Sequence, residues 1–150
     1  MSLFLPAPPG PLSPATNRKG PKMIDHIYLP VTNIKRSLDF YSALLTPLGK
    51  ADRWKFEAKA GYPDLWGFGG PQPGFWLKES NASFPALYVA FAALSEQAVN
   101  EAFDAALAHG GKDNGAPGLR PQFLPDYYAA NVLDPDGYSL EICFKPWLYE

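Results

Sequence analysis

One order of elements occurs twice in this chain. From His26 to Gly49 a strand-like run leads into a capped helix that carries Ile34, Leu38, Tyr41, Leu45 and Leu48 at helical spacing and ends at glycine. From Tyr88 to Gly111 the same order returns at the same separation. Pairing the halves sets Tyr41 against Phe103 and Leu45 against Leu107, and later sets Gly74–Lys78 (GFWLK) against Gly137–Glu141 (GYSLE). Each half therefore reads as βαβββ, and the whole as α+β. Two such units side by side bend their sheets into a cup with the helices outside. A cup floored by alternate strand positions suits a small molecule.

The punctuation of the chain supports this order. The first strand is expected over Met23–Val31, with Thr32 or Asn33 accepting from the free amides of the helix that follows. Three short aromatic segments come next, Ala51–Ala58, Asp64–Gly69 and Gly74–Glu79, separated by Gly/Pro turns. In the second half a strand is expected at Ala86–Ala92. A helix capped by Ser95 follows, with Val99, Ala102, Phe103, Ala106 and Leu107 on one side. The Gly/Pro-rich stretch Lys112–Pro125 reads as a loop, with its strand weakly marked. Strands Tyr127–Leu133 and Tyr138–Lys145 then flank the Asp-Pro-Asp-Gly turn at 134–137. The expected domain is 22–150, made of modules 22–83 and 84–147. Residues 1–21 hold six prolines and read as an extended tail.

Composition removes several functional classes. With 13 basic and 15 acidic side chains the net charge is −2, so no basic field exists to hold nucleic acid or an anionic membrane. Apolar runs fall short of the roughly 20 residues of a spanning helix. Leu3–Leu5 is too short for a signal-peptide core. A single cysteine, Cys143, permits no intrachain disulfide, and two histidines, His26 and His109, oblige any metal site to draw mainly on carboxylates. The expectation is a soluble cytoplasmic protein with a small-molecule partner.

Alternation in the last strand separates Ser139, Glu141 and Cys143 from the apolar set Leu140, Ile142 and Phe144. The apolar set must meet the helices, so Glu141 faces the cup. Pairing of the halves puts His26, Lys78, Tyr88 and Glu141 at equivalent positions. A carboxylate on a hydrophobic strand is costly unless used or paired, so Glu141 is either a ligand or general base, or the ion-pair partner of Lys78. Tyr88 is a catalytic acid or a packing ring. Arg120 is a clamp for a carboxylate or enediolate oxygen, or a solvated loop residue. Trp76 and Tyr127, with Phe75, Tyr128 and Tyr138, supply aromatic surface near floor and mouth. Cys143 reads as core, and His109 as a group stabilised at its helix end.

The opening HIYLPV…SLDFYSALLTPLG and the closing VLDPDGYSLEI resemble the vicinal oxygen chelate superfamily, which includes glyoxalase I, bleomycin-resistance proteins and extradiol dioxygenases. Gly110–Pro121 (GGKDNGAPGLRP) and the YYAANVLDPDG run resemble a branch of small glyoxalase-like proteins. The resemblance covers Met23 to about Lys145. It implies a divalent metal (zinc, nickel, manganese or iron) held by side chains from the first and last strand of each half. His26 and Glu141 match two of those places. Tyr88 stands where relatives usually carry histidine, and Lys78 where some carry a carboxylate. Two readings follow. One is a glyoxalase-like lyase or isomerase with metal at His26 and Glu141, Glu141 and Tyr88 catalytic, and Trp76, Lys78, Arg120 and Tyr127 binding substrate. The other is a metal-free sequestering protein of the bleomycin-resistance type, or a metal-independent enzyme. Small members of this superfamily often pair, so a homodimer is expected.

Overall fold

The computed structural model describes residues 26–57, 63–70, 73–81 and 87–146. The expected tail, Met23–Asp25, Ala58 and Ala86 lie outside them. The first half runs β1 (Ile27–Val31), α1 (Ile34–Leu45), β2 (Arg53–Phe56), β3 (Leu65–Phe68) and β4 (Phe75–Glu79). The second runs β5 (Tyr88–Ala92), α2 (Glu96–Ala108), β6 (Lys112–Leu119), β7 (Tyr128–Leu133) and β8 (Ser139–Phe144). Each half makes one mixed four-stranded sheet, in the orders β1-β4-β3-β2 and β5-β8-β7-β6. In both, the first strand lies parallel to the last, and the others are antiparallel. The expected βαβββ repeat is the fold.

Local chemistry explains the helix ends. Asn33 accepts from the Arg36 amide at 3.0 Å and Ser95 from the Ala98 amide at 3.1 Å, so each cap satisfies one free amide of its helix's first turn. Helix α1 stops at Leu45, short of Leu48, because Pro47 has no N–H with which to continue it. Gly49, at φ +64°, then turns the chain. The expected loop at 112–125 is corrected in its first part. Residues 112–119 form β6, an edge strand against β7 whose register shifts around Gly115. Those shifts erase the period-two pattern by which a strand is recognised.

The helices cover one face of each sheet. Phe40, Tyr41, Leu44 and Leu45 of α1 and Val99, Ala102, Phe103 and Ala106 of α2 share one continuous core with Leu29, Leu77, Val132, Leu140 and Ile142. That core crosses from one half to the other, and so do the polar ties. Buried Asp134 accepts from the Tyr41 hydroxyl at 2.6 Å and, within its own turn, from the amides of Asp136 and Tyr138 at 2.9 Å each. Asp136 accepts from Arg36 at 2.9 Å and from the Thr32 hydroxyl and amide, at the start of α1. The Tyr138 hydroxyl donates to the Pro30 carbonyl at 2.8 Å.

Burial raises the Asp134 carboxyl above its ordinary value, with the Tyr41 hydrogen bond opposing. Asp134→Ala strands three donors and should cost about 2–4 kcal/mol in urea unfolding, whereas Asp134→Asn keeps acceptors and should cost less. A raised folded-state value means the folded chain holds this proton more tightly than the unfolded chain. Wild-type stability relative to Asp134→Asn should therefore rise as pH falls through that raised value, and level off below the ordinary 3.8. Paired urea melts between neutral and acid pH check the sign.

Candidate functional site

The sheet faces turned away from the helices carry different chemistry in the two halves. In the first half, strand register lines Tyr28, Trp76, Gly67 and Trp54 into one row, and Pro30, Lys78, Leu65 and Phe56 into the next. Tyr28, Trp54 and Phe56 are exposed. His26 stands edge-on to Tyr28 at 5.0 Å between ring centroids, and Tyr28 lies 6.4 Å from Trp76. The Trp76 indole donates to the Pro73 carbonyl at 2.9 Å. A Cβ on Gly67 would come within 2.8 Å of the Trp76 ring and 2.7 Å of Pro73, so the glycine lets that indole lie flat on the sheet.

In the second half the central row is Ala90, Glu141, Asn131 and Gly115. Glu141 is 8% exposed and accepts a 2.8 Å hydrogen bond from the Tyr127 hydroxyl. Tyr127 is itself held, with the Phe123 ring at 5.8 Å and the Lys145 ammonium 5.1 Å from its ring centroid. Tyr127, Ala129 and Cys143 form a small buried cluster separate from the main core. Tyr88 is 53% exposed, and its oxygen accepts from the Asn131 amide at 3.1 Å. Burial and then its interaction with Glu141 raise the Tyr88 phenol, against the opposing pull of Asn131. The same two effects raise Tyr127. Both phenols thus keep their protons at neutral pH beside a carboxylate. Such a set can take a proton at Glu141 and give one at Tyr88.

The structure sorts the sequence candidates. It brings Glu141, Tyr88 and Tyr127 together, and it turns Glu141 to the face away from the helices, as strand alternation predicts. Among the described residues Glu141 joins no ion pair, so it is not the salt-bridge partner of Lys78. Lys78 is exposed, beside Pro30 and Leu65. The pairing of Lys78 with Glu141 is corrected by register. Tyr88 lies opposite Ser139, two residues before Glu141, while Ile27 lies opposite Phe75. With His26 equivalent to Tyr88, the position equivalent to Glu141 is Trp76. Arg120 folds back on its own strand, donating to the Ala116 carbonyl at 2.8 Å and the Gly118 carbonyl at 3.3 Å. His109 donates from Nδ1 to the Ala105 carbonyl at 2.8 Å, which satisfies the last turn of α2. Asn131 carries no signal of its own, but alternation in Tyr128–Leu133 places it on the Glu141 face.

Residues 23–142 match the model of the glyoxalase/bleomycin resistance protein/dioxygenase superfamily. The chain belongs to this superfamily. Among solved structures, a glyoxalase/bleomycin resistance protein from Albidiferax ferrireducens T118 is 23% identical, with a TM-score of 0.71 over 83% of this chain and 100% of that one. A glyoxalase I variant from Zea mays is 20% identical, with a TM-score of 0.63 over 83% of this chain and 47% of that one. The fosfomycin resistance protein FosX from Listeria monocytogenes is 16% identical, with a TM-score of 0.59 over 83% of this chain and 93% of that one. At such identities the likeness is one of fold. No curated protein sequence matches.

Members of this superfamily often use divalent metals, but the side chains present here do not fit one. The four equivalent positions hold an imidazole, an indole, a protonated phenol and a carboxylate. Indole has no lone pair to give, and a neutral phenol is a poor ligand for such ions. The Lys78 ammonium, two residues on from Trp76, cannot ligate either. Among the described residues no three His, Cys, Asp or Glu side chains converge. The superfamily assignment does not by itself supply a metal mechanism.

Two measurements probe the geometry. Burial pushes the Cys143 thiol up, so a thiol reagent at pH 8 should label the folded chain at least about tenfold more slowly than the urea-unfolded chain. Gly67→Ala should displace Trp76, lowering stability by about 1–3 kcal/mol and shifting the tryptophan emission.

Proposed function

We propose that this chain is a small-molecule enzyme, an isomerase or lyase that moves a proton on an oxygenated substrate without a metal held by its side chains. One observation carries the reading: a nearly buried carboxylate, Glu141, is held by the Tyr127 hydroxyl at 2.8 Å with the half-exposed Tyr88 phenol beside it. Glu141 takes a proton from carbon next to a carbonyl, and Tyr88 gives a hydrogen bond, then a proton, to the oxygen where charge collects. Tyr127 fixes the base, and Asn131 fixes the oxygen of the acid. A second reading, sequestration of a flat ligand, draws support from the exposed rings Tyr28, Trp54 and Phe56 around Trp76. We also expect a homodimer, which light scattering measures.

The deciding experiment follows hydrogen–deuterium exchange next to the carbonyl in a panel of small oxo and hydroxy-oxo compounds by NMR. Wild type should accelerate exchange of at least one compound, and EDTA should leave the rate unchanged. Glu141→Gln should lose at least about a hundredfold, the scale of a general base, with the fold kept. Tight binding without accelerated exchange of any compound would favour sequestration.

A further inference from the structure

We propose that the ligand is a neutral molecule with an apolar body and one hydroxyl or carbonyl oxygen. The body sits between β1 and β5, and the oxygen meets Tyr88 and Glu141. This rests on the reading of the Glu141 face given above, and adds to it the class of molecule that the face takes.

The argument begins with a hollow of about 420 Å3 where the starts of β1 and β5 approach each other. Ile27, Leu87, Ala90 and Phe91 line it together with Tyr28 and Tyr88, and no charged side chain is among its lining residues. Phe75 and Phe91 meet edge-to-face at 5.2 Å and make one wall rigid. Its size falls within the roughly 300–1,000 Å3 of small-molecule clefts.

Two residues join this hollow to the polar group. Tyr88 lines it and also accepts from Asn131 in the Glu141 row. Ala90 lines it and lies directly beside Glu141 in the strand register. The small side chain of Ala90 leaves open the way from hollow to carboxylate. A molecule whose body fills the hollow therefore presents its near end to one phenol and one carboxylate.

Charge then selects the molecule. A carboxylate or phosphate on that end would face Glu141, a like charge that is itself 8% exposed, with no cation in the lining of the hollow to offset it. Arg120 is spent on the carbonyls of its own strand, and the Lys145 ammonium lies over the Tyr127 ring at 5.1 Å, outside the lining of the hollow. Lys78 lies beside Pro30 and Leu65, outside the lining of the hollow. A neutral hydroxyl or carbonyl meets no such penalty: Glu141 accepts from a hydroxyl, and Tyr88 donates to either.

The test titrates the full chain at pH 7 by calorimetry with two probes of one shape, 2-naphthol and 2-naphthoate. The naphthol should bind, and the naphthoate should bind at least about tenfold more weakly, because its carboxylate meets the like charge of Glu141 without a cation beside it. Ala90→Trp fills the hollow and should weaken naphthol binding at least about tenfold, with Ala90→Leu intermediate, while circular dichroism shows both folded. Tyr88→Phe should weaken naphthol binding about three- to tenfold through loss of one hydrogen bond. Equal binding of the two probes, binding of neither, or full naphthol binding by Ala90→Trp would each overturn the proposal. If these results hold while Glu141→Gln leaves carbon-proton exchange intact, the ligand assignment stands and the catalytic reading alone falls.

Discussion

The polar ties between the two halves converge on one turn. Asp134–Gly137 opens β8, yet its carboxylates reach the other half. Asp134 takes the Tyr41 hydroxyl from inside α1, and Asp136 takes Thr32 and Arg36 where α1 begins. A helix N-terminus favours a carboxylate, so Asp136 gains from the dipole of α1 as well as from its donors. Asp134 has no such relief, and its burial is tolerated because three donors converge on it. The same turn delivers the strand that carries Glu141. One short segment thus adds the polar ties between the halves to their shared apolar core and also places the carboxylate.

Duplication of a fold need not preserve duplication of chemistry. The rows at the centre of each sheet are related in position, yet one holds Tyr28, Trp76 and Trp54 and the other Ala90, Glu141 and Asn131. The core faces stay alike because both must meet a helix, and apolar alternation satisfies that demand in either half. The opposite faces are under no such packing constraint. One became an aromatic surface and the other a hydrogen-bonded carboxylate flanked by phenols.

How much of this is legible in the sequence varies with range. The repeat, both helix caps and the direction of Glu141 follow from local pattern, because alternation and capping act over a few residues. The end of α1 is not read from the pattern, because apolar Leu48 prolongs the period past Leu45 while Pro47, which lacks the amide to continue the helix, ends it first. Strand β6 is not, for its glycines and proline break the period that strands display. The orientation of Arg120 depends on which carbonyls lie within reach of one rotamer, and composition says nothing of that. Asn131 acquires its role from Tyr88, 43 positions away in the chain, and no local signal connects them. Equivalence of Trp76 rather than Lys78 with Glu141 needs the strand register, which similarity between two five-residue segments does not determine.

The irregularity of β6 bears on how copies of this chain can meet. Outer strands usually offer an unbroken ladder of amides and carbonyls to any neighbour. Here Pro117 lacks an amide, the register slips around Gly115, and the Arg120 guanidinium sits on two of the carbonyls. That border of the sheet is closed to strand addition, which guards the protein against sheet-to-sheet polymerisation and leaves association to broad side-chain surfaces.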